Sequence, residues 1–325
     1  MNKNPFSIYD FLGYLFPGLS AMLIVIYIIF LGTEASIEEY FSFATFLDIF
    51  KKNMDIAWWQ STVIIILLSY ISGHIIAYLS SVIVEDFSNR IYNYPSYYLL
   101  HTNHFNIKSL KSCESECLKW QKPKFIWKYL RWIANRCYII SYFKENKGKS
   151  RKLWCIIEVI LIFPVSFFFL TIGAVCGLGQ FITRPLDQYI INSVHIKLWK
   201  LAETLKLHQP DVNSRQDYHR IVMHYVYLNI PNCQRKIDNY IAIYGFLRAC
   251  TLITCLFFDY LFFIQLCTIE EYFNAYSYVA YEINWTAIKI LLLLATLCVV
   301  LFMGFVKFYR RFTLENYMVL ITEKE

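Results

Sequence analysis

Five long apolar runs constrain this chain more than any motif does: residues 11–31, 58–84, 153–182, 247–267 and 285–306. An α-helix rises about 1.5 Å per residue, so roughly 20 apolar residues cross a hydrocarbon core of about 30 Å, and each run is long enough. With 57% hydrophobic and only 17% charged residues, the 325-residue chain is too apolar for a soluble domain of that length. An aromatic share of 19% suits helices with Tyr and Trp at the headgroup level. The expected class is an all-α integral membrane protein.

The first run follows Pro5 and Ser7, with Asp10 three residues after the serine, a capping-box pattern for a helix start. It has no small-residue cleavage site of the Ala-x-Ala kind and reads as a retained anchor. Pro17 followed by Gly18 should kink it, because proline removes a backbone hydrogen bond and crowds the preceding turn.

Charge decides which runs cross. The connection 33–57 carries Glu34, Glu38, Glu39, Asp48 and Asp55 against Lys51 and Lys52, and 268–284 carries Glu270, Glu271 and Glu282 with no basic residue. Lys144, Lys147, Lys149, Arg151 and Lys152 precede the third run, and Arg184, Lys197 and Lys200 follow it. Arg235, Lys236 and Arg248 lead into the fourth run, and Lys307, Arg310 and Arg311 follow the fifth. Basic segments stay cytoplasmic. If all five runs cross, basic stretches fall on the wrong side; if the third enters and returns, every basic stretch is inside. Pro164, Gly173, Gly177 and Gly179 supply the breaks that such a segment needs, with neighbouring helices covering its backbone.

The expectation is therefore four transmembrane helices plus a re-entrant or buried hydrophobic segment, with both termini cytoplasmic; five crossings are the alternative. The chain divides into an N-terminal hairpin at 1–84, a basic helical cytoplasmic region at 85–246 that includes 153–182, and a C-terminal hairpin with a cytoplasmic tail at 247–325.

In the cytoplasmic region, Ile126, Leu130, Ile133, Cys137 and Ile140 recur at helical spacing, with Lys124, Lys128 and Arg131 on another face. Such a basic helix, accompanied by Trp120, Trp127 and Trp132, fits anionic lipid headgroups, and its plain alternative is packing against its own domain. Ile190, Val194, Leu198, Leu201 and Leu205 outline a second amphipathic helix. Tyr218, Ile221, Val222 and Tyr225 outline a third, starting near Ser214 and stopping before Pro231; the fourth span begins as a cytoplasmic helix near Asn232. No nucleic-acid partner is expected.

No cofactor or metal is expected either. The ten cysteines are scattered and read as reduced packing residues, and Cys113 and Cys117 have no second pair or nearby histidines to complete a zinc set. His208, His219 and His224 read as solvated, since the last two are five apart and fall on different faces of a helix.

Polar residues within the spans are the candidate functional residues. Asp259 lies in the run Leu256-Phe257-Phe258-Asp259-Tyr260-Leu261, where an ionised carboxylate costs about 2.5–3.5 kcal/mol even on the lenient insertion scale. His74 lies at a similar depth in the second span, and the two are expected to pair. Packing without transport is the plainer role for such a pair, and an ion or proton pathway the functional one. Ser69, Gly73, Ala77 and Ser81 recur every four residues and form a helix-packing face, and Gly173 and Gly177 can act likewise.

Several segments carry a resemblance. They are Tyr9-Asp10-Phe11-Leu12-Gly13-Tyr14-Leu15-Phe16-Pro17-Gly18, Gly73-His74 with Ser80-Ser81 and Glu85, Tyr94-Pro95-Ser96, and Tyr244-Gly245-Phe246-Leu247-Arg248. Over most of its length the chain resembles a group of uncharacterised bacterial multi-spanning membrane proteins. The resemblance implies a bacterial inner-membrane location and assigns no residue a role. In size and layout the chain also resembles membrane effectors and sensors of anti-phage systems, by analogy alone.

No phosphate loop, serine nucleophile elbow, paired intramembrane aspartates or metal-ligand set is present, so an enzyme is not expected. A transporter would usually show an internal repeat. The expectation is a homo-oligomeric, channel-like effector that perturbs the inner membrane on a cytoplasmic signal. Its rival is a non-conducting anchor or sensor that recruits a soluble cytoplasmic protein.

Overall fold

The computed structural model describes residues 11–34, 58–100, 149–173, 176, 178–206, 219–275 and 285–322. The basic helix expected around Lys124, Lys128 and Arg131 lies outside the described residues, as do Ser7, Cys113, Cys117, Gly177, His208 and Ser214. No strand occurs among the described residues. Four helices are long and apolar enough to cross a membrane, within Phe11–Ile28, Val63–Leu100, Cys233–Cys267 and Trp285–Thr322, which marks the chain as a multi-pass membrane protein.

The first span opens with a π-turn, Phe11–Leu15, and continues as α1, Phe16–Glu34. Pro17 has no N–H to offer the carbonyl of Gly13, and the wider turn falls where that bond would have been. α2, Trp58–Ser80, runs into a second π-turn, Ser81–Glu85, followed by α3, Asp86–Tyr92, and α4, Pro95–Leu100. Between α3 and α4, Asn93 takes a φ of 64°, a left-handed conformation that Asn tolerates well.

The third apolar run is broken. α5, Lys149–Leu161, gives way to α6, Phe163–Phe168, which ends in a π-turn, Phe169–Gly173. The two limbs meet at 102°, with Pro164 in the first turn of the second limb, where its missing N–H costs nothing. α7, Leu178–Ile182, and α8, Gln188–Thr204, follow. α8 buries Ile191, Val194, Leu198 and Leu201, while Ile190 is half-buried and Leu205 exposed, so its apolar stripe begins one residue later than the sequence pattern suggests.

α9, His219–Asn229, buries Val222 and Val226. α10, Pro231–Ala275, and α11, Trp285–Thr322, are far longer than the apolar runs that they contain. Pro231 occupies the first position of α10, as a helix start allows.

The chain forms two compact units. The first takes Met1–Glu85, Glu158–Val165 and Ala242–Phe305, and so gathers the apolar parts of both hairpins. The second takes Asp86–Ile157, Ser166–Ile241 and Val306–Glu325, so the C-terminal residues group with the polar middle of the chain.

In the first unit, α1 and α2 pack at near backbone contact. A Cβ on Gly18 would lie 1.7 Å from the Ser69 carbonyl oxygen, and one on Gly73 would lie 1.9 Å from that of Tyr14. Each glycine therefore admits the other helix's backbone. Across this crossing the Ser72 hydroxyl donates to the Gly18 carbonyl at 3.3 Å, and the Ser69 hydroxyl to the Met22 sulfur at 3.4 Å. Rings tie α1 to α10 through Phe16–Phe246 and Tyr27–Phe257, at 6.1 and 5.8 Å between centroids. Leu247 fills the space above Gly304 of α11.

In the second unit, the guanidinium of Arg90 pairs with Asp86 at 3.0 Å and donates to the Cys155 sulfur at 2.7 Å. Lys236 pairs with Glu315. Arg310 donates to the Arg184 carbonyl at 2.8 Å, and the Leu186 amide to that of Leu99 at 3.1 Å. The ring of His219 packs edge-on against Phe312 and Tyr317, a structural setting in place of the solvated one expected for it, whereas His224 is exposed.

Candidate functional site

Two groupings in the first unit bring polar groups together at apolar helices. One is built around Arg248, a charged residue just inside the fourth apolar run. Its guanidinium forms an ion pair with Glu85, at the end of the π-turn after α2. It also donates to the Ser80 hydroxyl and to the Ala77 carbonyl, each at 3.3 Å. Tyr244, one turn earlier on α10, places its ring face 6.0 Å from the guanidinium carbon. The two charged side chains are 13% and 22% exposed, so neither can rely on water for its solvation. Planar and always charged, the guanidinium reaches a hydroxyl, a carboxylate and a carbonyl at once through three different nitrogens held in a fixed fork.

The second grouping lies where the broken segment meets α10. Phe163, the first residue of α6, stacks on Phe262 at 5.8 Å, and Phe262 stacks on Phe258 at 5.8 Å. One turn nearer the start of α10, the buried thiol of Cys255 lies beside the Val165 backbone and the buried Cys298 of α11. Asp259 sits on α10 between these two contacts, and its Oδ2 is shielded from solvent with no hydrogen-bond partner among the described residues. Glu158, one turn before the break, is fully buried. The break, the buried Glu158 and the half-buried Asp259 thus belong to one unit.

His74 is placed differently from the expected pairing. Its ring stacks on Tyr14 at 3.9 Å and meets Tyr70 edge-on at 4.6 Å. Among the described residues no hydrogen bond or ion pair joins His74 to Asp259. Depth along a span places a residue but not the direction it faces, and His74 faces outward on α2.

The small-residue face is used within the chain. Ser69 is fully buried and Gly73 touches α1, while Ala77 lends its carbonyl to Arg248 and Ser81 opens the π-turn. Gly173 lies against the Phe169 ring, 3.1 Å from where a Cβ would sit. Among the described residues no group of three His, Cys, Asp or Glu side chains could hold a metal ion.

In the sequence Glu85 and Ser80 stand out only as parts of a resemblance, and Arg248 also as one of the basic residues at the fourth run, yet each lies at the edge of an apolar run. Two opposite charges at run ends on the same expected side of the membrane were the signal. Glu158 was submerged within the third run.

No protein-family model, curated protein or solved structure matches the chain.

Proposed function

We propose that this protein is an oligomeric, channel-like effector of the bacterial inner membrane, with both termini cytoplasmic, that perturbs the bilayer on a cytoplasmic signal. The observation that carries this reading is the broken apolar segment packed against the turn of α10 that bears Asp259. Non-helical backbone at membrane depth is tolerated where protein covers it or where it lines a cavity, and ionisable residues there mark ion or proton paths. At the break Ile162, Pro164 and Val165 are buried, while Phe163 among them is exposed. A role in anti-phage defence rests on likeness of layout alone.

One observation favours the rival reading of a non-conducting anchor or sensor that recruits a soluble partner. The face Ser69, Gly73 and Ala77, which could have joined copies, is occupied inside the chain.

The test is membrane potential and dye entry in bacteria expressing the chain, with and without phage challenge, beside Asp259→Asn at equal protein level. Depolarisation that the substitution abolishes supports the effector. An intact potential under both conditions supports the anchor.

A further inference from the structure

With the small-residue face of α2 taken up by α1, the outward face of the same helix remains, and it is not uniformly apolar. Tyr70, His74 and Tyr78 recur every four residues along it; Tyr70 and Tyr78 are 37% and 69% exposed, and His74 is exposed too. Among the described residues no side-chain hydrogen bond reaches any of the three. His74 lies midway between Val63, where the candidate span begins, and Glu85 at the end of its π-turn. Contacts with Tyr14 and Tyr70 hold its ring at that depth, so it cannot lean toward the headgroups.

We propose that the stripe Tyr70, His74 and Tyr78 is the face on which two copies of this chain meet. Acyl chains cannot satisfy an imidazole or a hydroxyl, whereas helices in a bilayer do so by hydrogen-bonding one another. A second copy complements this stripe. A neutral imidazole carries one donor and one acceptor, and each phenol is both donor and acceptor, so the stripe can satisfy itself across a two-fold axis. Tyr70 and Tyr78 flank His74 one turn to either side, which keeps the pattern in register when His74 faces its equivalent. Leu67, Ile71 and Ile75 are exposed beside the stripe and supply the packing around it. The inference deepens the oligomeric part of the proposed function and does not depend on conduction.

The experiment uses the full chain in bacterial membranes, with a benzophenone side chain in place of Tyr78 or, as a control on the outward face of α11, in place of Leu293. Photo-crosslinking is read beside subunit counting by single-molecule bleaching. A product of two copies from position 78 but not 293 is expected. His74→Phe, which keeps a stacking ring and loses the hydrogen bonds, should weaken association about three- to tenfold. Copies that pair but crosslink from 293, or pair equally well with His74→Phe, would overturn this face and leave the oligomeric reading standing. Single copies throughout would overturn both. A product at 78 confined to one chain, or joined to a different protein, would overturn the second copy as occupant. The potential measurement stays separate, so a silent but dimeric protein would count against conduction alone.

Discussion

Arg248 and Glu85, 163 residues apart in the chain, form an ion pair at the edges of two apolar runs, and the same guanidinium holds Ser80 and the carbonyl of Ala77. Removing one member of a buried pair leaves the other charge uncompensated. Arg248→Ala is expected to cost about 3 kcal/mol, the low end for buried pairs because both side chains keep some exposure. Replacing both residues by Leu should recover most of the loss, since an apolar pair leaves no charge stranded. Reversible unfolding of the single and double variants in detergent measures this, and additive losses would mean that the pair is not coupled.

The crossing of α1 and α2 predicts a contrast between glycines. Gly18→Ala and Gly73→Ala force a methyl group into backbone atoms, and each should destabilise the fold by about 1–3 kcal/mol or more. Gly13→Ala and Gly245→Ala meet nothing within 4 Å among the described residues and should be close to neutral. Thermal midpoints of the four variants in one detergent check the ordering. Equal effects at all four would mean that the helices do not cross here.

His74 and Asp259 are not joined, so His74→Ala and Asp259→Ala should act independently on stability. Their double variant is expected to match the sum of the singles to within about 0.5 kcal/mol. A larger interaction energy in the same unfolding assay would restore the pairing that depth alone suggests.

Apolar length and charge made the spans legible in the sequence, and Pro164 marked the break beside Ile162 that the structure contains. Pro231 likewise marked the start of α10. The continuation of α11 to Thr322 was not legible from the apolar run ending at 306, because a helix leaving the bilayer changes its pattern without a stop signal. Pro17 promised a kink, and a π-turn stands just before it, because the missing bond fixes where the backbone must adapt but not how. The ion pair stayed hidden for a different reason. Residues so distant in sequence meet through tertiary packing, which the helix periodicity around Glu85 and Arg248 does not encode. His74 shows the same gap: its depth was readable and its facing was not.

Asp259→Asn keeps the shape of the side chain and removes its charge. With no hydrogen bond to Oδ2 among the described residues to lose, it should leave stability unchanged or slightly raised while abolishing any depolarisation. Unfolding and potential measurements on the same variant separate the two effects, and a clear loss of stability would assign the carboxylate a packing role.

Whether residues 153–173 return to the side from which they enter decides between a re-entrant segment and a fifth crossing. Fusion of a cytoplasm-active fluorescent reporter, and separately of a periplasm-active phosphatase, to each end of the full chain measures this. Fluorescence without phosphatase activity is expected at both ends. Phosphatase activity at the C-terminus with fluorescence at the N-terminus would make the bent segment a fifth crossing and contradict the re-entrant site beside Asp259.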